Sequence, residues 1–387
     1  LRPTTPARAG LAGRFALLAV ALSGLTACAT PGGRGAAAQA GGPGGPTAPG
    51  KPANVQFAPE EVQVSRLDLE LAGKNDEELF AVGMAAYGAK DWARAATAFA
   101  RIADRFPGSR HEATALFDAG LAYEQLSEWR LALERFHALV RGWEGPDALE
   151  ASFKVAECHY HLGDLSDAHA TLTAVAAQPG LAPALRVRAL AQLGVVELED
   201  DKPEEAERTL RRALAAFTVA SEGERLDPYF AAQAEYYLGE VYRAWFLEVP
   251  FDPSRDDDRK LGDALEQKSN LLLTAQGHYL RSIRLGDHTW AVASGSRVGE
   301  LYDGFRKQLL DAPLPPELDE EHQQAYRDEL RRRVRVLAAK AITAYEAALG
   351  RASVSGVTDE DVKTLADARQ ALQRLEEALR EDPGAGM

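Results

Sequence analysis

Between residues 75 and 220 apolar residues recur every three or four positions, the period of helices with one buried face. Gly83, Gly120, Ala156 and Gly194 stand 37, 36 and 38 residues apart, and twelve residues after each comes an alanine: Ala95, Ala132, Ala168 and Ala206. A large apolar residue follows four positions later, as Phe99, Phe136, Leu172 and Leu210. Between glycine and alanine lie Lys90-Asp91-Trp92, Ser127-Glu128-Trp129, Gly163-Asp164-Leu165 and Asp201-Lys202-Pro203, each a turn followed by a helix start. The pattern predicts four helix-turn-helix units in which small residues let two helices approach and large ones fill the gap. Asn75-Asp76 is expected to cap the first helix, and the alternation of Val62, Val64, Leu67, Leu69 and Leu71 predicts an extended segment over 60–72.

Past residue 220 the pattern returns in altered form. Gly239-Glu240-Val241-Tyr242 and Gly299-Glu300-Leu301-Tyr302 are near-identical first-helix cores, with Ala275-x3-Tyr279 and Ala341-x3-Tyr345 as second-helix partners. The glycine-to-alanine gap grows to 36 and 42 residues. Either loops are inserted, one acidic (251–260) and one Pro-rich (311–321), or the helices themselves are longer. Leu365, Ala368, Leu372, Leu375 and Leu379 then mark an amphipathic stretch over 359–380 that would cap the open end.

The second unit, Gly120-x2-Tyr123 followed by Ala132-x3-Phe136, resembles the tetratricopeptide repeat, and the first supplies Ala95-x3-Phe99 and the terminating Pro107. The resemblance implies an all-α solenoid of antiparallel helix hairpins. It departs in spacing, which exceeds the usual 34 residues, and in Tyr87 and Tyr160, which fall one residue late. It also implies a partner groove on the first helices. One groove position falls at Phe80, Phe117, Phe153 and Tyr236, with Ala191 in the remaining unit; Tyr87 and Tyr160 occupy a second, and Glu77, Gln125, Glu150, Glu157, His161 and Arg188 form a polar margin. These aromatics either line a groove or pack between hairpins, and the sequence leaves both readings open.

The N-terminus carries an address. Arg2, Arg8 and Arg14 precede an apolar run from Phe15 to Leu25, too short to span a bilayer core of about 30 Å, as in a signal peptide over 1–27. Leu25-Thr26-Ala27-Cys28 resembles the lipobox of bacterial lipoproteins, which implies cleavage before Cys28 and lipidation of that cysteine. Ala29, in place of an inner-membrane aspartate signal, favours the outer membrane. Residues 29–50 hold 12 Gly or Pro in 22 positions, so 28–58 reads as a disordered tether. The expected organisation is therefore a signal peptide, the tether, a four-repeat solenoid over 59–220, and divergent hairpins over 221–383.

Charge and chemistry narrow the function. The formal net charge is -14, and -17 without the first 27 residues, so nucleic acid is not an expected partner. No G-x4-G-K-[ST], H-E-x-x-H or G-x-S-x-G motif occurs, and no enzyme, cofactor or small-molecule substrate is expected. Cys158, His159, His161 and His169 are metal-ligand types, but neighbours on one helix point apart, and Asp256–Asp258 lack the framework of a calcium loop. Lipobox, tether and repeats together resemble outer-membrane tetratricopeptide lipoproteins, the BamD- and CpoB-like envelope proteins and those of the Glt gliding-motility complex. That resemblance implies a periplasm-facing scaffold, anchored in the membrane through Cys28, that holds other envelope proteins for assembly, motility or secretion. The alternatives are a peptidoglycan or polysaccharide binder and, more remotely, an enzyme.

Overall fold

The computed structural model describes residues 66–223, 225–251, 258–312, 314 and 319–326, with isolated helical positions between 336 and 377. The signal peptide, Cys28, the tether, Asp256, Asp257, Ala341, Tyr345 and most of 359–380 lie outside the described residues.

Among the described residues the elements are all helical. The chain runs through α1 (Arg66–Leu71), α2 (Asp76–Gly88), α3 (Trp92–Arg105), α4 (Glu112–Gln125), α5 (Trp129–Gly142), α6 (Pro146–Leu162) and α7 (Leu165–Ala176). It continues through α8 (Pro183–Glu199), α9 (Pro203–Ser221), α10 (Tyr229–Glu248), α11 (Asp258–Leu285) and α12 (His288–Asp311). Each helix from α2 on packs against the next, and α10 also touches α8 and α12, which makes a tetratricopeptide-like solenoid of stacked hairpins. Packing runs through residue 220 without a break, since α8 and α9 both lie against α10.

The four turns of the first hairpins share one backbone solution. Lys90, Ser127, Gly163 and Asp201 all adopt positive φ, at 60°, 60°, 83° and 57°. The following amide reaches back five residues each time: Asp91 to Ala86 O, Glu128 to Tyr123 O, Asp164 to His159 O (all 2.9 Å) and Lys202 to Glu197 O (3.0 Å). This closure satisfies helix-end carbonyls and reverses the chain in a fixed direction. Three of the four sites are not glycine, so the closure holds despite a cost of about 1 kcal/mol at each.

Within a hairpin the helices meet at the small-residue positions. A β-carbon added at Gly83 would stand 2.5 Å from the Phe99 ring, at Gly120 2.5 Å from Phe136, and at Gly194 2.5 Å from Leu210. Gly239 meets Tyr279 in the same way. Ala95, Ala132, Ala168 and Ala206 are fully buried, as are Phe99 and Phe136. In the third unit Ala156 and Leu172, both buried, stand at the corresponding positions. Tyr302 is buried and donates to Gln276 Oε1 at 2.8 Å, and Gly299 lies buried in α12, its expected partner Tyr345 being outside the described residues.

One expectation needs correction. The segment predicted as extended over 60–72 is helical from residue 66, because Leu67 and Leu71, four apart, pack on the α2–α3 core while Leu69 between them faces solvent. Asn75 therefore caps the second helix, through a reciprocal pair in which Glu78 N–H donates to Asn75 Oδ1 (2.9 Å) and Asn75 N–H to Glu78 Oε2 (3.0 Å). The wide spacing after residue 239 is taken up largely by length: α10 has 20 residues and α11 has 28, against 12 to 14 in α3, α5 and α7.

Gly120→Ala should destabilise the protein by about 1–3 kcal/mol, because the new methyl group meets a fully buried ring. Gly304→Ala, at an exposed helical site with nothing within 4 Å of the added carbon, should stabilise by about 0.5–1 kcal/mol. Urea denaturation followed by circular dichroism distinguishes the two.

Candidate functional site

Of the first helices of successive hairpins, α2, α4, α6 and α10 carry the six aromatics expected to line a partner groove, and α8 carries Ala191. Phe80 and Phe117 are half-buried. Each leans edge-on against the second helix of its own hairpin, Phe80 on Phe99 with ring centres 5.8 Å apart and Phe117 on Phe136 at 5.6 Å. The outer face of Phe80 is stacked on His111 at 4.2 Å. Tyr87, also half-buried, stands edge-on to Trp92 at 5.0 Å.

Phe153, Tyr160 and Tyr236 do not line an open groove. Phe153 is 1% exposed, with the Arg188 guanidinium 4.0 Å from its ring centre. Tyr160 is buried, and Tyr236 is buried between Tyr237, Tyr279 and Trp290, its hydroxyl accepting from Arg297 Nε at 3.2 Å. The packing reading describes these three, because side chains of neighbouring helices, Arg188 over Phe153 and Tyr279 and Trp290 against Tyr236, cover the rings. Ala191 is fully buried too.

The polar margin is mostly paired across neighbouring first helices. Arg188 Nη1 donates to Glu150 Oε2 at 2.6 Å, and Glu77 meets both Arg110 and His111. Lys154, a residue that sequence reasoning passed over, is almost wholly buried on α6 and donates at 2.9 Å both to Glu157 Oε2 and to Glu124 Oε2 on α4. Burial works against the charge on Lys154, but the Glu157 and Glu124 carboxylates outweigh it and hold its pKa above the usual lysine value. Burial pushes Glu124 up, against the opposing pull of Lys154, and Glu124 Oε1 is buried without a hydrogen-bond partner. Burial and then the charges of Glu124 and Glu157 also raise the Cys158 thiol, which makes this free cysteine a poor nucleophile.

Asp118 occupies on α4 the place that Lys154 occupies on α6, two positions before the small residue. Burial raises its carboxyl to about 6. Its charge is felt by Tyr87, whose hydroxyl is raised first by burial and then by Asp118 and Glu124. Between α2, α4 and α6 the first-helix face is therefore acidic, with Lys154 already committed to two carboxylates. The signal was present in the sequence as an interval of 31 residues from Tyr87 to Asp118 and 30 from Glu124 to Lys154, which places the first pair across the α2–α4 seam and the second across the α4–α6 seam.

Met84 is 51% exposed on the same face. Arg211 and Tyr242 belong to a separate cluster, where Tyr242 donates to Glu207 Oε1 at 2.6 Å and Arg211 contacts both. Glu235 is joined by His278 and Arg281, and Glu240 by Arg243, Tyr279 and Arg297, so these two buried carboxylates are paired, while Lys268, fully buried on α11, donates to the Phe246 carbonyl at 2.7 Å. These arrangements order helices and present no nucleophile beside a base.

Phe153→Ala should cost about 3–5 kcal/mol of stability, seen as a lowered urea midpoint, since the ring is enclosed and the guanidinium above it loses its platform. Asp118→Asn should stabilise the protein at neutral pH by on the order of 2 kcal/mol. The sign follows from the raised folded-state pKa: ionised Asp118 penalises the fold above about 6, and the penalty disappears as pH falls toward the unfolded value near 3.8. Denaturation at pH 7.5 and at pH 4 should show the variant's advantage shrinking on acidification.

Comparison with family models agrees with the repeat pattern. Family models described as tetratricopeptide repeat match residues 79–109 and 117–183. Among solved structures, the apo form of RapI is similar at 12% identity, covering 79% of this chain and 97% of its own, with a TM-score of 0.42. The APC/C hetero-tetramer Cut9–Hcn1 is similar at 14% identity over 78% of this chain and 45% of that one, with a TM-score of 0.42. A tetratricopeptide repeat protein from Parabacteroides merdae ATCC 43184 matches at 14% identity over 78% and 98%, with a TM-score of 0.37. No curated protein matches the sequence. Repeats of this kind form protein-binding scaffolds, and no enzymatic family is indicated. Residues 79–109 and 117–183 thus match the tetratricopeptide repeat, within an all-α, tetratricopeptide-like solenoid of stacked hairpins.

Proposed function

We propose that the protein is a lipid-anchored scaffold of the bacterial envelope, held to the outer membrane through Cys28 and capturing another envelope protein on the first-helix face of its repeats. The observation that carries the capture surface is the seam between α2, α4 and α6. There half-buried Tyr87 lies in the field of Asp118 and Glu124, half-buried Phe80 and Phe117 and the exposed Met84 stand on the same two helices, and the Asp118 carboxyl is raised by burial with no cation among the described residues offsetting it. Apolar surface of this kind, bordered by incompletely neutralised acid, suits a partner segment that brings both an apolar anchor and a basic residue. The anchor rests on Leu25-Thr26-Ala27-Cys28 and on the Gly/Pro-rich residues after it, which if flexible would reach roughly 30 Å from the membrane.

A glycan-binding role draws less support. It calls for exposed aromatic platforms, and Phe153, Tyr160 and Tyr236 are enclosed. The envelope machine served, whether outer-membrane assembly, gliding motility or secretion, belongs to the partner's identity.

Cys28→Ser should shift the protein from the membrane fraction to the soluble fraction of lysed cells and block labelling by a clickable palmitate analogue. Retention of both membrane association and label would refute the anchor. A photo-crosslinker at Met84 should give one discrete protein adduct in the native cell that Asp118→Lys weakens several-fold. Adducts unchanged by that substitution would refute the capture surface.

A further inference from the structure

The turn between α6 and α7 gathers donor atoms that neither the repeat packing nor the capture surface uses. His159 lies near the end of α6, Asp164 immediately precedes α7, and Asp167 sits in its first turn. One ligand-type atom from each falls within 4.8 Å of the other two. The turn itself is held by backbone, with Asp164 N–H donating to His159 O at 2.9 Å and Asp167 N–H to Asp164 O at 3.1 Å. This closure fixes the three Cα positions independently of the side chains.

Three details separate this group from an ordinary solvated pair of acids. His159 is only 12% exposed as a side chain, and its Nδ1 is buried without a hydrogen-bond partner. An imidazole nitrogen enclosed in that state carries an unmet desolvation cost. Asp164 occupies the N-cap position of α7 yet its side chain makes no capping bond; its Oδ2 lies 3.7 Å from His159 Nδ1. That separation is too long for a hydrogen bond. It is close to the roughly 3.4 Å that separates two ligands on a tetrahedral Zn2+ ion with metal–ligand bonds of about 2.1 Å. Finally, His137 on α5 stands edge-on to His159 with ring centres 5.7 Å apart, so a second imidazole adjoins the set from the preceding hairpin.

We infer that His159, Asp164 and Asp167 form a divalent-metal site of the Zn2+ type at the α6–α7 turn. The donor set of one imidazole nitrogen and two carboxylate oxygens suits a borderline cation. Asp164 and Asp167 are exposed, so rotation of their carboxyl groups brings the oxygens onto an ion held by His159 without moving the backbone. The Cys158, His159 and His161 grouping weighed from the sequence fails because consecutive helical residues diverge. The turn succeeds by folding the start of α7 back against the end of α6. Bound there, the ion clips the third hairpin shut and leaves coordination positions toward solvent for water or for a side chain of a partner.

The test is calorimetric titration of the untagged full chain with ZnCl2 at pH 7.5 in a non-coordinating buffer. The expected result is one high-affinity Zn2+ per chain, weakened at least 30-fold by His159→Gln and by the double variant Asp164→Asn, Asp167→Asn, and unaffected by His169→Gln. The two aspartates are exposed and outside the core, so the double variant remains informative should His159→Gln disturb folding; its circular dichroism should match the parent. Absence of saturable binding, or binding that survives the double variant unchanged, overturns the assignment.

Discussion

Each hairpin depends on how near its two helices can come. Where Gly83, Gly120, Gly194 and Gly239 stand, the facing ring or branched chain of Phe99, Phe136, Leu210 or Tyr279 occupies the volume a β-carbon would need. Dense packing in that strip sets the distance between first and second helices. Together with the shared turn closure, it fixes how the second helix of a hairpin returns along the first. A solenoid transmits such local geometry along its length, because each unit touches only its neighbours. The seams on the first-helix face, where Glu124 meets Lys154 and Glu150 meets Arg188, are a consequence of that spacing rather than its cause.

Charge placement shows the same dependence. Lys154 is tolerated in a buried position because two carboxylates converge on it, whereas Asp118 in the equivalent place has burial as the cause of its shift. The contrast comes from a single difference of residue type at one repeat position. It makes the seam between α2 and α4 electrostatically unfinished and the seam between α4 and α6 nearly complete. In the second half the same packing strip is kept by Gly239 and Tyr279, but α10, α11 and α12 are longer and bind their buried Glu235 and Glu240 into closed networks of arginine, histidine and tyrosine. The acidic, partly open seam of the early repeats and the sealed networks of the later helices thus divide the molecule's chemistry along its axis.

The sequence by itself determined the repeat: the interval of twelve from small residue to alanine, and the bulky residue four further on, encode which faces touch, since helical periodicity converts spacing directly into a face. It also carried the turn positions, through the polar or glycine-containing stretches that begin at 90, 127, 163 and 201, though not the shared positive φ. It misread 60–72, because leucines two apart satisfy strand alternation while those four apart satisfy a helix, and only the presence of a core beside Leu67 and Leu71 decides between them. The exposure of the aromatics was likewise undecided. Phe80 and Phe153 hold the same repeat position, yet a histidine stacks on Phe80 while an arginine from the first helix of the next hairpin covers Phe153. Burial is a property of what lies opposite, so the ion pair of Lys154 with Glu124 and the effect of Asp118 on Tyr87 existed only once the hairpins had stacked, and the approach of His159 to two aspartates only once the α6–α7 turn had closed.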